Sequence, residues 1–265
     1  MSTAPVADLL ATIVAATRRG IEFRERERPL ARLERETSRM PEGRRFVDAL
    51  RGGEAPRIIA ECKRRSPSRG ILRADYDAVA HARQYAAAGA AAISVLTEPT
   101  FFDGAPEHLR AVRAAVSVPI LRKDFIVSEY QIAEAAWLGA DAILLIAGAL
   151  DDGTLARLLD ASRRRGLAAL VEVHDSHQLA RAVEAGAEVV GVNSRNLRTL
   201  SVDQDVLNRI VADIPSHVVK VAESGIRSSE DIARLSRAGY DAFLVGERLI
   251  ATPDPGAALR ELRGR

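Results

Sequence analysis

The sequence predicts an α/β chain folded as a closed (β/α)8 barrel, a TIM barrel, with an N-terminal helical extension. Three observations predict it. From Ile58 onward, short apolar runs alternate with amphipathic stretches, the pattern of parallel strands joined by helical crossovers. Four of the amphipathic stretches end on a glycine just before the next run: Ala88-Gly89-Ala90, Leu138-Gly139-Ala140-Asp141, Ala185-Gly186-Ala187 and Ala238-Gly239-Tyr240-Asp241. Glycine supplies the left-handed conformation that closes a helix, so the repeating unit is helix, glycine, strand. Finally, eight such units in about two hundred residues fit a closed barrel better than an open sheet. An open doubly wound sheet would need a glycine-rich turn after the first strand, and residues 63–68 hold no glycine.

Residues 1–57 differ from the rest. Two helical stretches, 5–27 and 29–51, carry Arg and Glu at helical spacing and no readable strand. We read them as an extension packing near the barrel mouth, with the barrel over 58–265; a purely structural cap is the alternative. Strands are expected at 58–63, 92–96, 119–123, 142–147, 168–173, 189–193, 218–223 and 242–246. Helices are expected at 76–88, 106–115, 129–138, 152–165, 176–185, 203–213, 229–238 and 255–263.

Composition narrows the function classes. The 265 residues are 47% hydrophobic, and 38 basic against 36 acidic residues leave a net charge of +2. That balance argues against nucleic acid as a partner. Cys62 is the only cysteine, so no internal disulfide forms and a reducing compartment is expected. No apolar run reaches membrane-spanning length. The apolar stretch 6–16 is broken by Asp8 and followed by arginines, unlike a secretory signal. A cytoplasmic protein, monomeric or weakly homo-oligomeric, is expected.

The chemistry collects at strand ends. Residues 58–70 read Ile-Ile-Ala-Glu-Cys-Lys-Arg-Arg-Ser-Pro-Ser-Arg-Gly. Alternation puts Ile59, Glu61 and Lys63 on one face and Ile58, Ala60 and Cys62 on the other. Two charges on an inward face are costly unless that face opens into a site. The same parity recurs: Lys63, Lys123, Glu172, Asn193 and Glu223 each close a strand, at the end where barrel active sites lie. Lysines and carboxylates around one mouth suit proton transfer at a carbonyl. Lysine can also attack a carbonyl as an amine, so acid and Schiff-base roles both stand here. Ser224-Gly225-Ile226 and Gly246-Glu247 follow the last two strands, where such barrels often cradle a phosphate on backbone N–H groups. A phosphorylated small-molecule substrate is expected.

Other residues read as structural. His174 and His177 have no third ligand in the pattern, so no metal site is assigned. Cys62 reads as a small buried hydrophobe, Trp137 as packing, and Arg163–Arg165 as a solvated helix end.

Several stretches resemble the indole-3-glycerol-phosphate synthase family of tryptophan biosynthesis. They are residues 60–70 (above), Ile93-Ser-Val-Leu-Thr-Glu98 with Phe101-Phe102-Asp103-Gly104, Pro119-Ile-Leu-Arg-Lys-Asp-Phe125 and Leu170-Val-Glu-Val-His174. Gly191-Val-Asn-Ser-Arg-Asn-Leu197, Ala222-Glu-Ser-Gly-Ile226 and Leu244-Val-Gly-Glu247 complete the set. The resemblance covers nearly the whole chain. It implies a lyase, without metal or redox cofactor, that closes the indole ring of 1-(2-carboxyphenylamino)-1-deoxyribulose 5-phosphate with loss of carbon dioxide and water.

By position, it also implies roles. Lys123 resembles the general acid at the carbonyl and Glu172 the general base, with Asn193 orienting one or the other. Glu61 and Lys63 resemble a further acid/base pair for positioning and dehydration, and either lysine could protonate the departing hydroxyl. Glu223 and Ser224 line the opposite side. Arg195 suits a carboxylate or a structural pairing, Ser66 reaches substrate from the first loop, and Phe125, Leu144 and Leu197 wall the aromatic ring. Gly225, Gly246 and Lys63 would hold the phosphate. Glu247 stands where the family often has a small hydroxyl residue, so it is expected to turn outward and offer only its N–H.

Overall fold

The computed structural model describes residues 8–265. Eight parallel strands close into a barrel: β1 (Arg57–Cys62), β2 (Ala92–Leu96), β3 (Ile120–Lys123), β4 (Ala142–Ile146), β5 (Ala168–Val173), β6 (Val189–Asn193), β7 (Val219–Glu223) and β8 (Ala242–Val245). Each strand pairs with its sequence neighbours, and β1 pairs with β8 to complete the ring. This is the expected fold, with strand ends trimmed by a residue at several places.

Strand alternation sorts the core into two layers. Ile59, Leu121, Leu144, Leu170, Val221 and Leu244 pack inside the barrel. Ile58, Cys62, Ile93, Ile143, Val171, Val190 and Phe243 face the surrounding helices. Cys62 is therefore an outer-layer residue, fully buried, and burial pushes its thiol well up, which leaves it protonated and unreactive.

The extension holds α1 (Leu9–Glu27), α2 (Leu30–Glu36) and α3 (Gly43–Arg51). Asp8 caps α1 by accepting from the Ala11 N–H at 3.2 Å. Residues 5–7, where the sequence predicts the helix start, lie outside the described residues. The single helix expected over 29–51 is instead two. Pro41 cannot continue an N–H ladder, and the Gly43 N–H donates to Gly166 O at 2.9 Å, so the chain turns under the barrel. There Phe46, Val47 and Leu50 of α3 join the interior layer through the N-terminal ends of the strands. At the opposite end, Leu10 and Ile13 of α1 join the same layer. Arg198, in the loop after β6, pairs with Asp8 at 3.3 Å.

The outer helices are α4 (Ala78–Ala87), α6 (Pro106–Ala115), α7 (Glu129–Leu138), α8 (Asp152–Arg164), α9 (Ser176–Glu184), α10 (Asp205–Ile210), α11 (Ser229–Ala238) and α13 (Pro255–Leu262). Asp77, Ser128, Asp151, Asp175, Ser228 and Asp254 cap their first turns, each accepting a backbone N–H left unpaired by helix geometry. Two one-turn helices, α5 (Pro99–Phe102) and α12 (Glu247–Ile250), lie on the mouth side after β2 and β8. Alternation patterns do not register elements of four residues. Among the described residues, no helix is long and apolar enough to cross a membrane.

Gly43 is where α3 touches the floor most closely: a methyl there would lie 2.3 Å from Ala168 N and 2.6 Å from Gly166 O. Both are backbone atoms that cannot step aside. Gly43→Ala is expected to destabilise the fold by about 1–3 kcal/mol, the usual cost of overpacking, read as a lower midpoint in urea denaturation.

Candidate active site

The predicted polar ring is real in space. One cavity at the C-terminal ends of the strands is lined by Glu61, Lys63, Ser66, Lys123, Phe125, Leu144, Asn193, Arg195, Leu197, Glu223, Ser224, Gly225, Gly246 and Glu247. Of the residues singled out from sequence, Glu172 alone is not on its wall. Glu172 is fully buried, one step beneath Lys123.

Two ion pairs set the electrostatics. Lys63 Nζ lies 2.6 Å from Glu61 Oε1, and Lys123 Nζ lies 3.4 Å from Glu172 Oε2. Burial acts to raise the Glu61 carboxyl, but the Lys63 and Lys123 ammoniums outweigh it and hold it below the usual carboxylate range. Burial also opposes ionisation of Glu172; the Lys123 ammonium beside it and the polar groups around it outweigh burial and hold the group low. Lys123 is pulled down by burial yet ends above an ordinary lysine, because Glu172, Glu223 and Glu61 surround it. Glu223 goes the other way: burial and the neighbouring Glu172 charge push it well up, against the pull of Lys123. Of the three carboxyls it is the one whose surroundings favour the protonated form.

Small residues clear the space for these groups. A methyl on Gly191 would sit 1.9 Å from Glu223 Oε1, and one on Gly246 would sit 2.4 Å from Glu61 Oε1. Ser224 and Gly225 follow β7 with φ of 66° and 72°. A serine in the left-handed region costs conformational energy, so the turn there is enforced by its surroundings.

The first loop and the far rim meet through Glu247. Its carboxylate lies 2.5 Å from Arg69 Nε and 3.6 Å from Arg195 Nη2, so it does not swing free of the mouth as the sequence reading expects. Two arginines give it a fixed place. Arg195 also donates to Leu200 O at 3.4 Å, and its backbone N–H donates to Asn193 Oδ1 at 2.9 Å.

Sequence reasoning missed four groups. Phe102 lines the cavity with its ring 5.9 Å from that of Phe125; it lies in the one-turn helix after β2, where strand parity assigns no direction to a side chain. Arg122 faces away from the cavity on the parity opposite to Lys123, and a strand-parity search for inward charges passes over it. It is fully buried and held by Asp124 at 2.9 Å, Glu134 at 2.7 Å, Thr97 at 3.1 Å and Gln131 O at 3.0 Å. Arg69 is the third. The fourth is His174, whose Nε2 lies 3.4 Å from Glu172 Oε1. It sits two residues after Glu172 on the inward parity, and that spacing was the available signal.

Comparison with known proteins places the chain among its relatives. A family model described as indole-3-glycerol phosphate synthase matches residues 10–262. A protein of that name from Parafrankia sp. is 48% identical over 255 residues, covering 96% of this chain and 94% of the relative. Another, from Nocardioides sp., is 56% identical over 207 residues, covering 78% and 80%. Among solved structures, a 3-hexulose-6-phosphate synthase superposes with TM-score 0.64 at 18% identity, over 78% of this chain and 98% of that one. A thiamine phosphate pyrophosphorylase from Pyrococcus furiosus gives 0.62 at 18%, over 83% and 96%. At that identity the two structures speak for the fold alone.

The raised Glu223 makes a testable demand on stability. Unfolded, its carboxyl titrates near ~4.3; folded, it holds its proton to higher pH. Above ~4.3 the unfolded chain therefore binds fewer protons, and this group's contribution to stability falls as pH rises toward the folded value. Glu223→Gln removes that penalty and keeps a donor toward Glu172. Its melting temperature is expected to exceed the parent's near neutral pH, with the difference vanishing below about pH 4; a constant difference across pH would contradict the assignment.

Proposed function

The chain belongs to the indole-3-glycerol phosphate synthase family, and from that premise we propose which of its side chains carry the reaction. The family activity is a carboxy-lyase step of tryptophan biosynthesis: 1-(2-carboxyphenylamino)-1-deoxyribulose 5-phosphate gives indole-3-glycerol phosphate, carbon dioxide and water. The observation carrying the assignment is the Lys123 ammonium, lying between the cavity and Glu172, with Glu61 and Glu223 as further neighbours.

Lys123 donates a proton to the carbonyl oxygen as the aromatic carbon attacks, and its charge steadies the oxygen while the bond forms. The carboxylate on the attacking ring carbon then leaves as carbon dioxide, its bonding electrons restoring the aromatic ring. Losing water requires one proton on the departing hydroxyl and removal of one hydrogen from the adjacent carbon of the new ring. A lysine supplies the first, with the Lys63–Glu61 pair serving this step and substrate positioning. Glu172 takes the second, becoming accessible as Lys123 is drawn up to the substrate oxygen. Asn193, on the neighbouring strand, orients Glu172 or the substrate, and Glu223 and Ser224 bound the opposite wall. Phe125, Leu144 and Leu197 flank the aromatic ring, Arg195 receives its carboxylate, and Ser66 contacts substrate from the first loop. Gly225, Gly246 and the Glu247 N–H, with Lys63, receive the phosphate.

In the same reading, residues 1–57 form an extension and 58–265 the barrel, with the Asp8–Arg198 pair tying the extension to the mouth. The chain is placed in the cytoplasm as a monomer or weak homo-oligomer. Its one cysteine is buried and unpaired, and among the described residues the large exposed apolar side chains, Phe23, Met40, Ile71 and Val202, are few.

Mixing the protein with the carboxyphenylamino substrate should produce the ultraviolet signature of an indole. Lys123→Ala is expected to lower kcat by about 10²–10⁴, the span of a lost general acid, with the circular dichroism spectrum and melting intact. Turnover within a few-fold of the parent would refute the role. Borohydride reduction with substrate should trap no adduct on Lys123; a trapped adduct would replace the acid role with an amine one.

A further inference from the structure

Glu172 poses a problem that the cavity does not solve. It is fully buried and absent from the cavity wall, so a proton it collects cannot pass directly to water. Lys123, its nearest ionisable neighbour on another strand, is a cation and the acid of the reaction; Glu223 is drawn toward its protonated form, and Asn193 is a neutral amide. His174 is the remaining neighbour. It stands on the same inward parity just beyond the end of β5, and its side chain keeps 15% of its surface open. It does not line the substrate cavity.

The ring is held in one tautomer. Gln178 Nε2 donates to Asp175 Oδ2 at 3.0 Å, which turns Gln178 Oε1 toward the histidine. That oxygen accepts from the His174 backbone N–H at 3.2 Å and lies 3.4 Å from Nδ1. An acceptor facing Nδ1 puts the ring hydrogen there and leaves the lone pair on Nε2. Nε2 in turn faces Glu172 Oε1 at 3.4 Å, and both atoms are buried without another hydrogen-bond partner. A lone pair facing a carboxylate oxygen is unfavourable unless a proton lies between them. Two orphaned acceptors so placed are a one-proton site.

We propose that His174 is the proton relay of Glu172, taking up the proton that this carboxylate removes during dehydration and passing it to solvent on the side away from the substrate. In the step, the O–H bond on Glu172 Oε1 breaks as an N–H bond forms on Nε2, giving carboxylate and imidazolium. The imidazolium returns one proton to water and the neutral ring is restored. No oxidant or co-reactant is needed. The relay rests on the reading of Glu172 as base.

The test is kcat of the full-length protein, measured by indole absorbance in weak buffer. His174→Ala and His174→Gln are expected to lose about a hundredfold, the low end for a positioned proton-transfer group. Glutamine keeps volume and a polar contact but carries no exchangeable charge, so it separates packing from proton transfer. Imidazole added to His174→Ala should restore kcat in a saturable way, while leaving the parent unchanged. Parent-like kcat in both variants, or a loss that imidazole does not move, overturns the relay. Glu172→Gln separates the two layers: it should be inactive with or without imidazole, whereas normal turnover there would remove the base assignment itself.

Discussion

Charge compensation in a dry ring is the constraint on which this structure depends. Glu61, Glu172 and Glu223 converge at the strand ends with only Lys63 and Lys123 for cations. Three carboxylates and two ammoniums cannot all be ionised without leaving an unpaired buried charge, whose cost exceeds that of neutralising it. The arrangement resolves this by pairing: Lys63 with Glu61, Lys123 with Glu172. Glu223 is left over, and burial beside the Glu172 charge favours its protonated form. The outcome is a set of groups in different states at one pH, which is what acid and base work at a single centre requires.

That ring is only as well placed as the strand ends beneath it. Lys123 and Arg122 are neighbours on β3 that point in opposite directions, one into the site and one into the helix layer. Arg122 is a buried cation with its donors engaged by Asp124, Glu134, Thr97 and Gln131. Losing one partner would strand a charge in the interior, so the network resists displacement of the strand end that carries Lys123. Arg24 of α1 adds a second guanidinium to Glu134 at 2.8 Å. The N-terminal helix thus touches the chemistry indirectly, through a carboxylate shared by two arginines on either side of it.

The barrel and most of its ring were legible from sequence because both follow from parity and periodicity. Apolar runs with two-residue alternation, ended by Lys123, Glu172, Asn193 or Glu223, point those side chains inward whatever the loops do. The same logic failed where geometry is not periodic. The helix expected over 29–51 is broken across residues 37–42, where the chain brings Gly43 up to Gly166 at the barrel floor, a contact between segments over a hundred residues apart. Arg122 was invisible because an outward parity says nothing about a network made with a helix. His174 obeys the parity rule but lies beyond the strand end, and a lone histidine near another in sequence suggests metal ligation rather than contact with a buried carboxylate.

Glu247 shows how a residue that looks wrong in isolation is accommodated. A carboxylate beside a phosphate subsite would repel the ligand if it stood free. Here it is bound by Arg69 from the first loop and faces Arg195 from the sixth. The local charge of the three side chains is therefore positive by one. An arriving phosphate meets guanidiniums already gathered by Glu247 and competes with that carboxylate for their donors, and planar arginine forks serve either anion. The carboxylate's effect on the ligand is thus a matter of exchange between anions on shared cations. It also binds the first loop to the last barrel turn, so the side of the mouth that would hold the phosphate is closed by the same interaction that neutralises its odd residue.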